Sequence, residues 1–176
     1  MAAVPRLEGI RIVLDRLDPK NISTSYLAWM KDPEVVRYLA NPDADYSPEA
    51  ISTYVKEMNK SPDNFLFGIF LKENSTHIGN IKIGDLHPKQ RFADLGLIIG
   101  VKEFWGQGLG TESIELAVRF AFETLKLNKL IAGVLAPNQA SYKAFRKAGF
   151  REVGCYERHW KVNEKYVNSF ILERCA

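Results

Sequence analysis

Three observations predict a single mixed α/β domain with a mostly antiparallel sheet of about seven strands. Between residues 65 and 99, three apolar segments are joined by short polar links. Such links are too short for parallel crossovers, so the segments form an antiparallel meander. A glycine-rich loop at 106–110 then opens a long helical stripe, and a buried strand follows at 130–135. Two further strands, 151–161 and 166–173, flank a turn at Asn163-Glu164.

In order along the chain, residues 9–14 alternate with Ile10, Ile12 and Leu14 on one side, the mark of a first strand. Residues 21–30 read as a helix with Ile22, Tyr26, Trp29 and Met30 near one face. Asp32-Pro33-Glu34 is a helix start, because Asp caps, Pro fits the first turn and Glu suits the positive end. Ser47-Pro48-Glu49 repeats the signal, and Ile51, Tyr54, Val55 and Met58 follow the i, i+3, i+4, i+7 spacing. The meander strands are 65–71, 78–83 (with Gly79 as a bulge) and 92–99. Ile114, Ala117, Val118, Ala121 and Leu125 form the stripe of the helix after the glycine loop. Asn138 caps a last helix, which ends at Gly149 with apolar Phe150 beyond.

Length and composition exclude much. The 176 residues fit one domain, 1–176, at roughly 100–200 residues per domain. With 46% apolar and 26% charged residues, the chain is neither disordered nor disulfide-dependent. Its 24 Lys and Arg against 21 Asp and Glu leave a net charge of +3, scattered in fragments such as Lys143, Arg146 and Lys147. A nucleic-acid partner would require a basic stripe, so none is expected. The first residues lack a basic segment followed by an apolar core, and no apolar run approaches 18 residues. No leader and no membrane association are therefore expected. Cys155 and Cys175, without a CxxC, read as reduced thiols of a cytoplasmic protein. His77, His87 and His159 form no HxxxH or HExxH, and no metal site is expected.

The sharpest signal is Gly106-Gln107-Gly108-Leu109-Gly110-Thr111 between a strand and a helix. Free amides at a helix start, with the helix dipole behind them, suit a phosphate or diphosphate. Glycines let the backbone approach closely. No Gly-Lys-Ser/Thr follows, which excludes a P-loop. Thr111 stands where a dinucleotide loop wants glycine, and the loop follows a meander rather than a first parallel strand.

The element order and these residues resemble the GNAT superfamily of N-acetyltransferases. There the loop reads Gln/Arg-x-x-Gly-x-Gly/Ala. Gly108 and Gly110 match it, and Trp105 departs from the Gln/Arg position. The run from Phe104 to Glu112 looks like the variant in the branch of ribosomal-protein N-terminal (alanine/serine) acetyltransferases. Asn138-Gln-Ala-Ser141, ending in Gly149-Phe150, resembles the family's Asn-x-x-Ser…Gly-Phe segment. The tail from Gly154 to Ser169 looks like that branch's closing hairpin.

The resemblance covers nearly the whole chain and implies helices on both faces of the sheet, with acetyl-CoA as donor. It implies that amides of Gly106, Gln107, Gly108, Leu109, Gly110 and Thr111 hold the diphosphate. The pantetheine arm would pair with backbone at Ile98, Ile99, Gly100 and Val101, in a gap beside the third meander strand. Asn138 and Ser141 would also face the cofactor.

For catalysis, Asp94 is the candidate base; a solvated strand carboxylate is its bland alternative. The family's usual proton-donating Tyr is Phe145 here, which leaves Ser141 and Tyr142. Ser141 reads equally as an ordinary first-turn residue, and Tyr142 as packing. Trp29, Tyr38 and Asp85 are the acceptor-binding candidates, the aromatics otherwise packing the core. Glu34 and the hairpin's His159 and Trp160 are further options, and Glu112 reads as a first-turn stabiliser. The implied reaction is direct acetyl transfer to a primary amine. The expected acceptor is a small metabolite such as a nucleotide-linked amino sugar; a protein N-terminus remains open. A non-catalytic acyl-CoA-binding module is the rival, motivated by Trp105 and Phe145. Monomer and homodimer are both compatible with the tail.

Overall fold

The computed structural model describes residues 5–20 and 22–176. The expected helix start at Asn21 and the first four residues lie outside the described residues. Eight strands form one sheet in the order β1-β2-β3-β4-β5-β6-β8-β7. They are β1 (Leu7–Glu8), β2 (Ile12–Arg16), β3 (Phe65–Leu71), β4 (His77–His87), β5 (Phe92–Ile99), β6 (Lys129–Leu135), β7 (Arg151–Val162) and β8 (Lys165–Cys175). The helices are α1 (Thr24–Trp29), α2 (Pro33–Val36), α3 (Pro48–Lys60), α4 (Leu109–Arg119) and α5 (Gln139–Lys147). Among the described residues, no helix is long and apolar enough to cross a membrane.

The sheet buries two apolar layers. Ile12, Leu14, Phe67, Ile81 and Ile83 join Ile114, Ala117 and Phe145 in the larger one. Tyr26, Trp29, Ile51, Val55 and Leu66 form the other, on the α1–α3 side. Ser23, Asp32 and Ser47 each accept a backbone N–H at a helix start, and Pro33 and Pro48 occupy the first turns.

The meander is antiparallel as expected, from β2 through β5. Two details differ from the sequence reading. The first strand starts later. Gly9 donates to the Ile12 carbonyl, closing a turn that leaves Ile10 88% exposed, and the short β1 precedes it. The β3–β4 register slips so that Ile69 faces Gly79 while Phe70 faces His77. The extra residue is Ile78; Gly79 itself allows close approach, because a Cβ there would strike the Ile98 carbonyl.

β5 and β6 run parallel, but they pair only from Phe92 with Lys129 to Asp94 with Ile131. Beyond Asp94 they separate. β5 continues against β4 to Ile99, and β6 continues against β8 to Leu135. A wedge-shaped gap therefore opens inside the sheet. The loop into α4 and the start of α5 both lie at its wide end, since each follows the end of a gap-lining strand.

Candidate active site

Along β5 the backbone groups alternate sides. Gly100 donates to the Ile78 carbonyl at 2.8 Å, toward β4. The Ile99 groups therefore point the other way, into the gap. The Ile99 carbonyl takes the Trp105 indole N–H at 2.7 Å. The Val101 N–H also turns to Ile78, at 3.3 Å.

The chain then passes through a 3₁₀ turn, Lys102–Phe104, into the glycine loop. Gly106 and Gly108 have φ of +74° and +83°, a left-handed backbone that favours glycine. Gly108 is the N-cap of α4, and no side chain caps the helix. The first-turn N–H groups of Leu109, Gly110 and Thr111 thus remain available to an anion, with the helix dipole adding positive potential. This donor set fits a diphosphate.

Long-range contacts hold the loop in place. The Arg11 guanidinium donates to the Gln107 carbonyl at 2.9 Å and to Glu112 Oε2 at 3.1 Å. Glu112 also accepts the Arg11 and Ile12 backbone N–H groups at 2.8 and 3.3 Å. Burial alone would raise the Glu112 carboxyl. The bonds from Arg11, Ile12 and Ile10 outweigh that and hold it below its ordinary value. On the far rim, Lys102 reaches Asp32 at 2.8 Å and Glu34 at 3.1 Å, tying the loop's approach to α2.

A cavity of about 560 Å³ lies over this loop. Ile98, Ile99, Gly106, Gly108, Leu109, Gly110, Thr111, Asn138, Ser141 and Tyr38 all line it, with Glu34, Trp105, Lys143 and Lys147. Asn138 accepts the Ser141 N–H at 3.2 Å, the cap that starts α5. Tyr38 donates to the Pro137 carbonyl at 3.4 Å, bridging the cavity from α2 to α5.

Other candidates stand outside this lining. Gln107 is turned back, its amide donating to the Glu103 carbonyl at 2.7 Å. Gly100 is buried beneath the Trp29 indole, which occupies the space a Cβ would need. Trp29 is itself 4% exposed, edge-on to His77 and tilted against Tyr26, as a core residue. Phe145 is 2% exposed and packs edge-to-face on Phe150. The Tyr142 hydroxyl donates to Glu152 at 2.8 Å.

Asp94 sits at the apex of the gap, at the last β5–β6 pair, and faces Gly84 across β4. Desolvation, and then the charge of Asp85, push its carboxyl above the ordinary range, against the pull of Lys82 and His87. Asp85 holds a left-handed backbone, φ +51°, in the β4 irregularity beside it.

A second cavity, of about 940 Å³, lies between the α2–α3 segment and the β7–β8 turn. Trp160, Tyr46, Lys31 and Asp43 line it. Arg37 and Leu39 line both cavities, so the two adjoin there. The Arg37 guanidinium lies 4.8 Å over the Tyr38 ring, and among the described residues it has no acidic partner.

The sequence reading missed Arg11, Lys102 and Arg37. Arg11 meets its partners about a hundred residues away, and no local pattern marks such a contact.

Comparisons with known proteins agree with this geometry. The model of the acetyltransferase (GNAT) domain matches residues 11–151. The chain is 31% identical over 123 residues to the probable N-acetyltransferase YjcK of Bacillus subtilis (strain 168), spanning 69% of this chain and 67% of that one. The spermidine N-acetyltransferase from Vibrio cholerae, solved with CoA and spermine, shares the fold with a TM-score of 0.82 at 18% identity, covering 94% and 95% of the two chains. The ribosomal-protein-S5-alanine acetyltransferase from Vibrio fischeri gives 0.82 at 13% identity, covering 98% and 97%.

Proposed function

The chain belongs to the acetyltransferase (GNAT) family and is an N-acetyltransferase that uses acetyl-CoA; from that premise we infer that it passes acetyl directly to the primary amine of a small metabolite, with a nucleotide-linked amino sugar as the acceptor class. One observation carries the reading. The uncapped amides of α4 and the free edge of β5 line one cavity, and Arg37 and Leu39 join it to a second.

In this reading the N–H groups of Gly108 to Thr111 hold the diphosphate, with the Thr111 hydroxyl as a further donor. The Ile99 edge of β5 pairs with the pantetheine arm as an added strand would. An amide on that edge polarises the thioester oxygen as negative charge develops there. Trp105 occupies the Ile99 carbonyl, which leaves the neighbouring N–H to face the arm.

The amine must attack in its neutral form. For a lysine-like amine, pKa about 10.4, deprotonation at pH 7 costs roughly 4–5 kcal/mol; for an amine near 8 it costs about 1 kcal/mol. Glu34, the carboxylate on the cofactor cavity wall, is already bound to Lys102. A weakly basic amine suits such a site, with Asp94 acting through water from the apex of the gap. In this reading Ser141, on the cavity wall, relays to the thiolate a proton that the acetylated amine has released to water. A thiol of pKa near 8.5 also leaves without help.

In this reading the outer cavity takes a ring-bearing acceptor with its anionic group directed at individual cations, because Asp43, Asp45 and Glu164 balance Lys31, Arg37 and Lys161 in the lining. Arg37 and Lys31 supply cationic groups, and Trp160 and Tyr46 supply aromatic faces.

The test incubates the protein with acetyl-CoA and three amine classes: nucleotide-linked amino sugars, peptides with ribosomal-protein N-termini, and spermidine. Free thiol release and product mass are read. Acetylation of the amino sugar is the expected result. Acetylation of peptide α-amines alone would transfer the function to protein N-termini.

A further inference from the structure

We propose that Lys82 is a positioning residue for Asp94: its ammonium stands opposite the carboxylate, across the bare Cα of Gly84, and holds it ionised to receive the amine's proton. The proposal rests on the reading of Asp94 as the base and adds the group that keeps it ready.

The antiparallel register builds the pair. Between β4 and β5, Gly84 faces Asp94 and Lys82 faces Gly96. Residues two apart in a strand share a face, so these four form one patch. The patch looks toward the α1–α3 layer, because Leu66, opposite Lys82, and Ile98, two residues beyond Gly96, both pack there. Lysine and aspartate occupy one diagonal and glycines the other. Diagonal neighbours are about 7–8 Å apart, within reach of a long side chain.

Lys82 closes that distance by lying over Gly84. A Cβ on Gly84 would meet Lys82 Cε at 2.5 Å and Nζ at 2.9 Å. The ammonium therefore occupies the place of the side chain that Gly84 lacks, directly across from Asp94. Among the described residues Lys82 forms no direct ion pair, whereas Lys72, Lys102, Lys129 and Lys161 each do. The carboxylate is countered at a distance rather than locked in a bridge, and its oxygens stay free for a water. There is room for one: a Cβ on Gly96 would meet nothing within 4 Å.

The charged neighbours of Asp94 come from four elements. On β4, Lys82 lies on its Gly96 side, Asp85 follows Gly84, and His87 lies on its Phe92 side, stacked on that ring at 4.2 Å. On α3, burial and then the charge of Asp85 push the Tyr54 hydroxyl up. On β6, Ile131 faces Asp94. The next ionisable groups there, Lys129 of β6 and Glu173 of β8, are bound to each other at 2.6 Å, and Glu173 also takes Arg151. Desolvation and Asp85 favour the neutral acid at Asp94, and Lys82 and His87 favour the carboxylate. An imidazole loses its charge within the neutral range, whereas an ammonium keeps it. Lys82 is thus the standing cation that opposes Asp85. The proton passes from the amine through water to Asp94, and Lys82 gains and loses none.

The experiment follows the Asp94 carboxyl carbon by NMR titration of protein carrying isotope-labelled aspartate, with Asp94→Asn to assign the signal. It also follows kcat/KM over pH with the amine acetylated in the screen above. Lys82→Met keeps an apolar stem over Gly84 and removes the charge. The Asp94 titration should then move to higher pH, and kcat/KM on the acid limb should fall about three- to tenfold while the plateau holds. Lys82→Arg should titrate as wild type does. Gly84→Ala, whose methyl group displaces the flexible end of Lys82, should reproduce the Lys82→Met result with the lysine present. An unmoved titration in Lys82→Met overturns the proposal, as does a Lys82→Arg protein that moves as far as Lys82→Met. A wild-type titration in Gly84→Ala would overturn the placement of the ammonium. An acid limb that persists in Asp94→Asn would instead overturn the base reading, and this proposal with it.

Discussion

The indole N–H of Trp105 donates to the carbonyl oxygen of Ile99 across a 2.7 Å hydrogen bond. It joins the last residue of β5 to the residue before the glycine loop, two segments that line the same cavity. Trp105→Phe keeps the ring and removes the donor. It should cost about 1 kcal/mol of stability and raise the KM for acetyl-CoA severalfold, with a smaller change in kcat. Thermal melts and initial rates measure both. An unchanged KM would show that the bond does not position the cofactor strand.

The Glu112 tie to Arg11 and Ile12 joins the N-terminal turn to the loop. The folded carboxyl titrates below its ordinary value. Between the folded and unfolded pKa values, the unfolded chain binds more protons. The stability is therefore complete above the unfolded pKa, about 4.3, and is lost as pH falls below it. Glu112→Gln should lower stability by about 1–3 kcal/mol at pH 7 and flatten the acid limb of a melting-temperature profile. An acid limb as steep as wild type would place its origin in other carboxylates.

How much of this was readable beforehand depended on sequence distance. The expectation that Gly106 to Thr111 cradle an anion could be formed from the sequence because all of those residues belong to one strand–helix junction, whose left-handed glycines and uncapped helix start the structure shows. The tie from Arg11 to Gln107 and Glu112 carries no local mark, so Glu112 read only as a helix stabiliser. Ile10 fits an alternating strand pattern, but the Gly9 turn beneath it exposes the side chain. Trp29 is an acceptor-binding candidate only through the family resemblance, whereas its helical spacing points to the core; the bare Cα of Gly100 is what lets its indole sink there. Lys143 and Lys147 looked like scattered charge until the direction of α5 set them on one wall.

His77 is buried against Tyr26, Trp29 and Phe70. Its Nε2 lies 3.0 Å from the Gly79 carbonyl and 2.9 Å from Asn80 Oδ1, both acceptors, so Nε2 carries the proton and Ser23 donates to Nδ1 at 2.9 Å. Burial pulls its pKa below the ordinary value. Below about pH 6.5 the unfolded chain takes up a proton that the folded one resists, so stability falls as pH falls there and is flat above. Replacing His77 with Gln should remove this slope between pH 7 and 5. A persistent slope would assign it to another group.

Asp94 carries the prediction for the chemical step. Its raised carboxyl must be ionised to accept a proton, so activity should rise with pH through a pKa above the usual carboxylate range and then level off. Asp94→Asn should lower kcat/KM by roughly 10²-fold or more and abolish that limb. An unchanged pH–rate profile would reject Asp94 as base and leave the amine's own ionisation in control.

Calorimetric titration of Gly108→Asp with acetyl-CoA examines the amide cradle itself. Asp tolerates the left-handed backbone at this position, and a negative charge at the start of α4 favours the helix, so the variant should remain folded by its melting profile. Its carboxylate would sit beside the amides proposed to hold the diphosphate, and affinity should drop at least tenfold, with Gly108→Asn losing less. Wild-type affinity in a folded Gly108→Asp protein would contradict the account.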